Sequence, residues 1–251
     1  MNYLIVTGAS KGLGQEIVKT FASGNSHIIS IARTENTDLQ QYVSVKGGIL
    51  SQLSFDLANI HEIDSLMKQV FDVINLKDAT SIHLINNAGM VAPIKPIERC
   101  EPEEIIKNQH VNLLAPMLII SSFCKITSSL PIEKRIINVS SGAAKKPIYG
   151  WSSYGSAKAA LDLFSQGAAL DQQEANLPVN IISFHPGIMD TDMQEEIRSS
   201  SQEDFLNVET FQNYKKEGKL LPPQRVADVL FSLVSSEAFP NGQVVSVQDY
   251  L

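Results

Sequence analysis

The feature that most constrains the fold is an alternation of short apolar runs with longer stretches of helical pattern. The runs are rich in Ile and Val and continuously apolar, which is typical of strands buried on both faces of a parallel sheet. This alternation predicts an α/β fold: a doubly wound, seven-stranded parallel sheet with helices on both faces. The seven runs are Tyr3–Thr7, His27–Ala32, Ile49–Phe55, Ile82–Asn86, Arg135–Val139, Val179–Phe184 and Gln243–Val247. Helices are expected to begin near Gly12, Ile60, Glu103, Ser152 and Pro223.

The chain of 251 residues shows no internal linker, so a single domain is expected over 1–251. The least regular region is 190–221, which is charged and rich in Ser and Gln. A long irregular insert in a compact domain is often a cover over a binding site. We therefore expect 190–221 to form a substrate lid.

The composition excludes several classes of protein. The net charge of −7 argues against general affinity for nucleic acid or an anionic membrane. We see no uninterrupted apolar segment of the length of a membrane span and no secretory signal. Two cysteines, Cys100 and Cys124, favour a reducing compartment, and a cytoplasmic protein is expected. The histidines and cysteines show no metal-ligand spacing, so no metal site is expected.

A glycine-rich turn follows the first predicted strand, in Thr7-Gly8-Ala9-Ser10-Lys11-Gly12-Leu13-Gly14. Small residues let the backbone approach a pyrophosphate, and the next helix offers free N–H groups and its positive dipole end. No Gly-Lys-Ser/Thr sequence follows, which excludes a Walker loop. A plain glycine turn without a ligand is the alternative, but the position directly after the first strand favours a dinucleotide site.

Five further motifs follow in order along the chain. They are Asn86-Asn87-Ala88-Gly89, Asn112 in the next helix, Ser140-Ser141, Tyr154-Gly155-Ser156-Ala157-Lys158 and Pro186-Gly187. Together with the glycine turn they resemble the short-chain dehydrogenase/reductase family over essentially residues 1–250. The resemblance implies a Rossmann domain, a nicotinamide cofactor and a catalytic set of Asn112, Ser141, Tyr154 and Lys158.

The residue types in this set fit proton transfer to a carbonyl group. Tyr154 and Lys158 are four apart and share one helix face, where a cation lowers the pKa of a phenol and makes it a proton donor. Ser141 is expected to hold the substrate carbonyl oxygen by a hydrogen bond. The resemblance implies that Asn112 binds a water linking Lys158 to solvent; the alternative is a helix-kink residue near Pro116.

A second Tyr-x-x-x-Lys pair, Tyr42 and Lys46, follows the second predicted strand. No serine-bearing strand end precedes it, so we interpret this pair as ordinary surface.

The second predicted strand ends Ala32-Arg33-Thr34, with no acid before Glu35. A carboxylate at that strand end would bind bare ribose hydroxyls and repel a phosphate, whereas Arg33 and Lys11 suit a phosphate. NADP(H) is therefore favoured over NAD(H). The resemblance also places Asp56 at the adenine and Thr191 at the carboxamide. The full set of implied cofactor contacts is Gly8, Ser10, Lys11, Gly12, Leu13, Gly14, Arg33, Asp56, Leu57, Asn87, Ala88, Gly89, Tyr154, Lys158, Pro186, Gly187, Ile188 and Thr191.

The segment Pro186–Gln194 resembles the sepiapterin-reductase-like branch of the family. In that branch a carboxylate near the C-terminus anchors a pterin, but here Ser246 stands at that position and Asp249 is out of register. The branch also contains bacterial reductases of vicinal diketones, such as benzil to (S)-benzoin, and these enzymes need an apolar pocket. We expect a carbonyl reductase of this benzil type, with pterin reduction as the alternative. The expected pocket residues are Ser141, Tyr149, Trp151, Tyr154, Ile188 and Met189, with Ile148 beside them.

A function of another class stays open, namely a non-catalytic sensor that binds NADP(H) and reports to a protein partner. Retention of all four catalytic residue types favours the enzyme. His185 precedes Pro186 and is either a substrate contact or a satisfied histidine at a strand end. From the resemblance we expect a homodimer or homotetramer formed through the helices that begin near Glu103 and Ser152, and a small-molecule carbonyl substrate.

Overall fold

A computed structural model describes residues 1–251. Its centre is one sheet of seven parallel strands in the order β3-β2-β1-β4-β5-β6-β7. The direction of winding reverses between β1 and β4, which is where open α/β sheets bind ligands, beyond the carboxyl ends of the strands. The strands are β1 (Asn2–Thr7), β2 (Ser26–Ala32), β3 (Ile49–Ser54), β4 (Ser81–Asn86), β5 (Glu133–Val139), β6 (Asn180–His185) and β7 (Val244–Ser246).

Nine α-helices accompany the sheet, together with a π-helical turn at His110–Leu114 and several short 3-10 turns. The helices are α1 (Gly12–Phe21), α2 (Thr37–Val45), α3 (Ile63–Asp72), α4 (Pro102–Gln109), α5 (Ala115–Thr127), α6 (Ser152–Gln173), α7 (Asp192–Arg198), α8 (Val208–Lys216) and α9 (Pro223–Ser235).

The helices bury two separate apolar cores, one on each face of the sheet. One core packs α1, α2 and α9 against the strands, with Ile17 and Leu230 fully buried. The other packs α3, α5 and α6, with Met67 and Phe123 fully buried. Because strand residues such as Ile5 and Val6 alternate between the two cores, each strand is apolar along its length. The predicted fold class and sheet are confirmed, and each strand bound lies within two residues of its prediction.

Two differences from the sequence prediction concern helices. Helix α2 is absent from the prediction because it buries only Leu39 and Val43 and has little amphipathic pattern. The region 190–221 is not irregular: it holds α7 and α8, which pack against each other. A small third core under these helices contains Trp151, Phe205 and Val208.

One continuous helical stretch, Pro102–Thr127, is long and apolar enough to cross a membrane, with a mean hydropathy of 1.3 over a window of 18 residues. Here it lies against the sheet, with Ala115, Ile119 and Phe123 in the core. A core helix passes the same test of length and composition, so this stretch is weak evidence for a membrane span.

Candidate active site

A cleft of about 1180 Å³ lies beyond the carboxyl ends of β1, β2, β4, β5 and β6. Single ligand pockets usually span about 300–1,000 Å³, so this cleft has room for a dinucleotide with a small substrate beside it. Its floor comes from the strand ends, one wall from the start of α6 and another from α7 and α8. The structure thus brings residues from distant parts of the sequence to one site.

Tyr154, Ser141 and Lys158 meet at the centre of this cleft. Tyr154 and Lys158 lie one turn apart on α6, and the Lys158 Nζ atom lies 5.9 Å from the centre of the Tyr154 ring. Ser141 follows β5 in extended backbone conformation, and its hydroxyl lies beside the Tyr154 hydroxyl. The Lys158 ammonium donates a hydrogen bond to the carbonyl oxygen of Val139 at 2.9 Å. This places a phenol, a hydroxyl and an amine around one point.

Burial dominates the protonation of this cluster. Tyr154 is 6% exposed, and burial raises the pKa of its phenol, while the hydrogen bond from Ser141 opposes the rise. Burial also lowers the pKa of Lys158 to about 8, against the opposing charge of Asp162. Burial thus opposes the acidic phenol that the sequence analysis predicts for Tyr154. A phenol with a raised pKa stays protonated at neutral pH, which suits a proton donor.

Asn112 lies in the π-helical turn between α4 and α5, and its side chain is already occupied. Its Oδ1 atom accepts from the Met90 N–H at 3.1 Å, and its Nδ2 atom donates to the Met90 carbonyl at 2.8 Å. Turns of this type occur often at functional sites. Asn112 therefore fixes the backbone just after Gly89, beside the Lys158 amine. Asn112 thus lies at the irregular turn of the helix and also holds the backbone beside the site.

The glycine turn forms a cradle for an anion. Gly8 has a positive φ of 68°, and a Cβ there would lie 2.8 Å from the Ala88 Cα, so no other residue fits. Gly12 also has a positive φ, and a Cβ there would lie 3.7 Å from the Thr191 methyl group. No side chain caps the N-terminus of α1, which leaves its first N–H groups free. Uncapped helix N–H groups behind a backbone without side chains fit the pyrophosphate of a nicotinamide dinucleotide.

Arg33 and Lys11 lie at the end of the cleft that the second strand forms. The Arg33 side chain lines the cleft together with Asp56. Lys11 also lines it but is paired with Asp192, at 2.6 Å, at the first residue of α7. The Lys11 ammonium, which we expected at a phosphate, is thus shared with the region 190–221.

Seventeen of the eighteen implied cofactor residues line the cleft, and three expected site residues do not: Gly14, Tyr149 and Asn112. Gly14 lies behind the turn, where a Cβ would come within 2.2 Å of the Gly8 carbonyl oxygen, so its small size serves packing. Tyr149 was expected in the substrate pocket but lies outside the cleft with 45% of its surface exposed. It precedes Gly150, whose positive φ turns the chain there.

The substrate end of the cleft has an aromatic wall that the sequence analysis found only in part. Trp151 stacks on Phe205 at 4.9 Å between ring centres and meets Phe211 edge-on at 5.4 Å. Phe211 in turn contacts Tyr214. The aromatic residues of 205–214 are apparent in the sequence, but nothing in the sequence tells which faces of α7 and α8 point toward the cleft. Trp151, Tyr154, Ser141, Ile188, Met189 and Ile148 line the cleft as expected, together with Met193, Gln194, Phe211 and Tyr214.

The other singled-out residues lie away from the cleft or behind it. Tyr42 is 38% exposed on α2, and its partner Lys46 lies over its ring, as expected for a surface pair. His185 is buried behind the site on Asp162 and is the satisfied histidine. Ser246 and Asp249 cap each other, because the Asp249 carboxylate accepts from the Ser246 N–H at 2.8 Å. No group of three possible ligands for a metal ion is present.

Comparison with known proteins agrees with this geometry. The profile of the short chain dehydrogenase family matches residues 2–202. The chain is 42% identical to a benzil reductase ((S)-benzoin forming) of Bacillus cereus, over 99% of this chain and all of that one. It is 27% identical to a sepiapterin reductase of Bos taurus, over 98% of this chain and 95% of that one.

Among solved structures, the KRED1-Pglu enzyme superposes with a TM-score of 0.81 at 26% identity. The superposition covers 98% of this chain and 100% of that one. Together with the matching profile, this likeness means that the protein belongs to the short-chain dehydrogenase/reductase family and is a carbonyl reductase that uses a nicotinamide dinucleotide.

Proposed function

We propose that the protein is an NADPH-dependent reductase of small aromatic vicinal diketones, of the type that converts benzil to (S)-benzoin. The observation that carries this proposal is the pair of Trp151 and Phe211, which line the cleft, with Trp151 edge-on to the Tyr154 ring. Phe205 stacks on Trp151 from the buried side. Flat aromatic faces favour an aromatic ligand by offset and edge-to-face contact. The 42% identity to a benzil reductase supports the same substrate class.

In the proposed reaction the chain binds the substrate carbonyl between Ser141 and Tyr154. The bound cofactor supplies a hydride to the carbonyl carbon. Tyr154 gives its phenolic proton to the carbonyl oxygen, and Ser141 holds that oxygen by a hydrogen bond as it becomes negative. Lys158 provides the cation next to the phenol and a donor for ribose hydroxyls. Asn112 keeps the Met90 backbone in place beside Lys158.

The cofactor preference is assigned to the end of β2. Arg33 faces the cleft, and the strand end carries no carboxylate in its place. A planar guanidinium binds a ribose phosphate through paired hydrogen bonds, and an acid that would reject the phosphate is missing. We therefore assign NADPH as reductant and NADP⁺ as product, with Asp56 and Thr191 at the adenine and carboxamide ends.

The same proposal includes the organisation of the chain. Residues 1–251 act as one NADP-binding domain, and 190–221 act as the substrate lid. The apolar side chains of Ile106, Leu118, Leu163 and Leu170 are exposed on α4, α5 and α6. They support a homodimer or homotetramer through these helices, in the cytoplasm, with a small-molecule carbonyl substrate and without nucleic acid or a membrane as partner.

Pterin reduction is the competing assignment, and the sepiapterin reductase relative at 27% identity keeps it in the test. The Asp249 carboxylate, the acid nearest the position that anchors a pterin, is held in the C-terminal cap and lies outside the cleft. We therefore expect no pterin anchor there.

The experiment is to follow oxidation of NADPH by the purified protein with benzil, 1-phenyl-1,2-propanedione and sepiapterin in parallel, and to repeat each assay with NADH. Turnover of the diketones with NADPH, at higher kcat/KM than sepiapterin, is the expected result. A clear preference for sepiapterin would overturn the substrate class. Equal rates with NADH would overturn the assignment of the cofactor.

A further inference from the structure

A buried acid, Asp162, lies directly behind the reaction centre and has no part in the chemistry proposed above. It follows Lys158 by one turn on α6. Its side chain is 14% exposed. A carboxylate in such a place is costly unless it is hydrogen-bonded or paired. The groups around it therefore indicate what it does.

Those groups come from two neighbouring strands. His185 at the end of β6 hydrogen-bonds to one carboxylate oxygen of Asp162 through Nε2, at 2.8 Å. The Ser183 hydroxyl, also on β6, donates to the other oxygen. Ser140, directly after β5, lies with its hydroxyl against Asp162 and 3.2 Å from the Lys158 carbonyl oxygen. One carboxylate thus joins α6 to the two strand ends that precede Ser141 and Pro186.

The network also determines the charge next to Lys158. Burial would raise the pKa of Asp162, but its hydrogen-bonding neighbours, His185 first, outweigh burial and hold that pKa below its ordinary value. The carboxylate is therefore ionised. Around Lys158 the other facing groups are the Tyr154 phenol on α6, the Val139 carbonyl on β5 and the Asn112 side chain from the π turn, all uncharged at neutral pH.

We propose that Asp162, held by His185, is a positioning residue for Lys158: its carboxylate keeps the Lys158 amine protonated and fixes α6 on the ends of β5 and β6. The proposal rests on the proposed function for its kinetic reading. His185 acts through Asp162, because its Nε2–H is spent on that carboxylate. Neither residue touches the substrate.

The first test is the pH profile of kcat for diketone reduction by Asp162→Asn. Without the carboxylate, burial alone acts on Lys158 and its pKa falls below about 8. Loss of activity on raising the pH should then begin about one pH unit lower than in the unmodified protein. Asp162→Glu keeps the charge and should keep the position of this alkaline limb, even if kcat falls.

Controls separate this role from plain structural damage. Asp171→Asn removes an exposed acid from the same helix and should change neither kcat nor the pH profile. His185→Gln keeps an N–H donor toward Asp162 and should stay near the unmodified profile, whereas His185→Phe should shift it as Asp162→Asn does. A uniform fall of kcat in Asp162→Asn, with the alkaline limb unmoved, would overturn the proposal.

A second readout does not depend on the substrate assignment. Trp151 is the only tryptophan of the chain and lines the cleft, so quenching of its fluorescence reports NADP⁺ binding. As the pH is raised, NADP⁺ affinity should begin to fall at a lower pH in Asp162→Asn than in the unmodified protein. If no diketone is reduced, the proposed function fails, but this binding profile still decides the role of Asp162, and an unchanged profile contradicts it.

Discussion

The two sides of the cleft are built from different interactions. The base of the cleft, formed by the carboxyl ends of β4, β5 and β6 with α6, holds its polar groups in buried hydrogen bonds. Asn138, for example, is fully buried and donates to Ser165. The proposed lid, residues 190–221, is held by exposed ion pairs such as Lys11 with Asp192, and by the aromatic contacts of Phe205 and Phe211.

This difference separates chemistry from selectivity. Buried hydrogen bonds fix geometry, because any displacement leaves a polar group without a partner. Aromatic contacts are less directional, and exposed ion pairs contribute little energy, so the lid can accept variation without loss of the fold. Substitutions in the base of the cleft should therefore change kcat, and substitutions in the lid should change KM and the choice of ligand.

The largest effect is expected for Tyr154→Phe, which removes the proposed proton donor from the base of the cleft. General acid catalysis contributes about 10²–10⁴-fold, so kcat for diketone reduction should fall by about 10³-fold. NADP⁺ binding, read from Trp151 fluorescence, should stay within about threefold, because the ring and the Lys158 amine are retained.

The chain offers a matched control in its second Tyr-x-x-x-Lys pair. Tyr42→Phe makes the same chemical change at an exposed position of α2. Its activity should equal that of the unmodified protein. Retention of most activity in Tyr154→Phe would assign the proton donor to another residue.

A smaller effect is expected for Phe211→Ala in the lid. The substitution removes one face of the aromatic wall, and KM for benzil should rise about tenfold with little change in kcat. KM for biacetyl, a diketone without rings, should rise much less. Phe231→Ala is the control, since Phe231 pairs with the Phe21 ring and does not line the cleft. Equal changes in KM for benzil and biacetyl would mean that the wall does not recognise rings.

The base was largely predictable from the sequence, because local patterns determine it. A strand such as β5 is visible as a run of Ile and Val, and the residue after a parallel strand reaches the same edge as its neighbours. Ser141 and Tyr154 were therefore predicted from motifs whose order and spacing resemble those of the family. The direction of the pKa shift of Tyr154 could not be predicted in this way, because burial depends on packing from the whole chain. Desolvation raises this pKa, whereas the sequence analysis expects a lower one.

The lid was predicted only as a location. Helices α7 and α8 span 7 and 9 residues, too short to give a clear amphipathic period. The pair of Lys11 with Asp192 joins positions 181 apart in the sequence, and no local pattern encodes such a contact. Tyr149 shows the same limit on a smaller scale, since it lies next to the catalytic positions in the sequence but outside the cleft in the structure.

The next prediction concerns cofactor choice where base and lid meet. Arg33→Ala should weaken NADPH binding by about 10–100-fold, because one charge-assisted interaction with the ribose phosphate is lost, and should leave NADH binding unchanged. Lys11→Ala should cost less, because its ammonium is 67% exposed and already paired.

Asp192→Asn sharpens this comparison, because it frees Lys11 from its partner. NADPH binding should then tighten about two- to fivefold, with NADH binding unaffected. Titration calorimetry with both cofactors provides the measurement. Weaker NADPH binding in Asp192→Asn would mean that the ion pair helps to form the site instead of competing for the phosphate.

The smallest effect is expected for the second ion pair of the lid, between Lys215 of α8 and Asp190 before α7. Both side chains are nearly half exposed, so a double-mutant cycle of Lys215→Ala and Asp190→Ala should give a coupling energy of about 0.2–1 kcal/mol. In a chain of this size that corresponds to a change of Tm of no more than about 4 °C. KM for benzil should not change, since the aromatic contacts place the lid. A coupling above about 2 kcal/mol, or a tenfold rise in KM, would mean that charge and not ring packing seats the lid, and the contrast between the two sides of the cleft would then be lost.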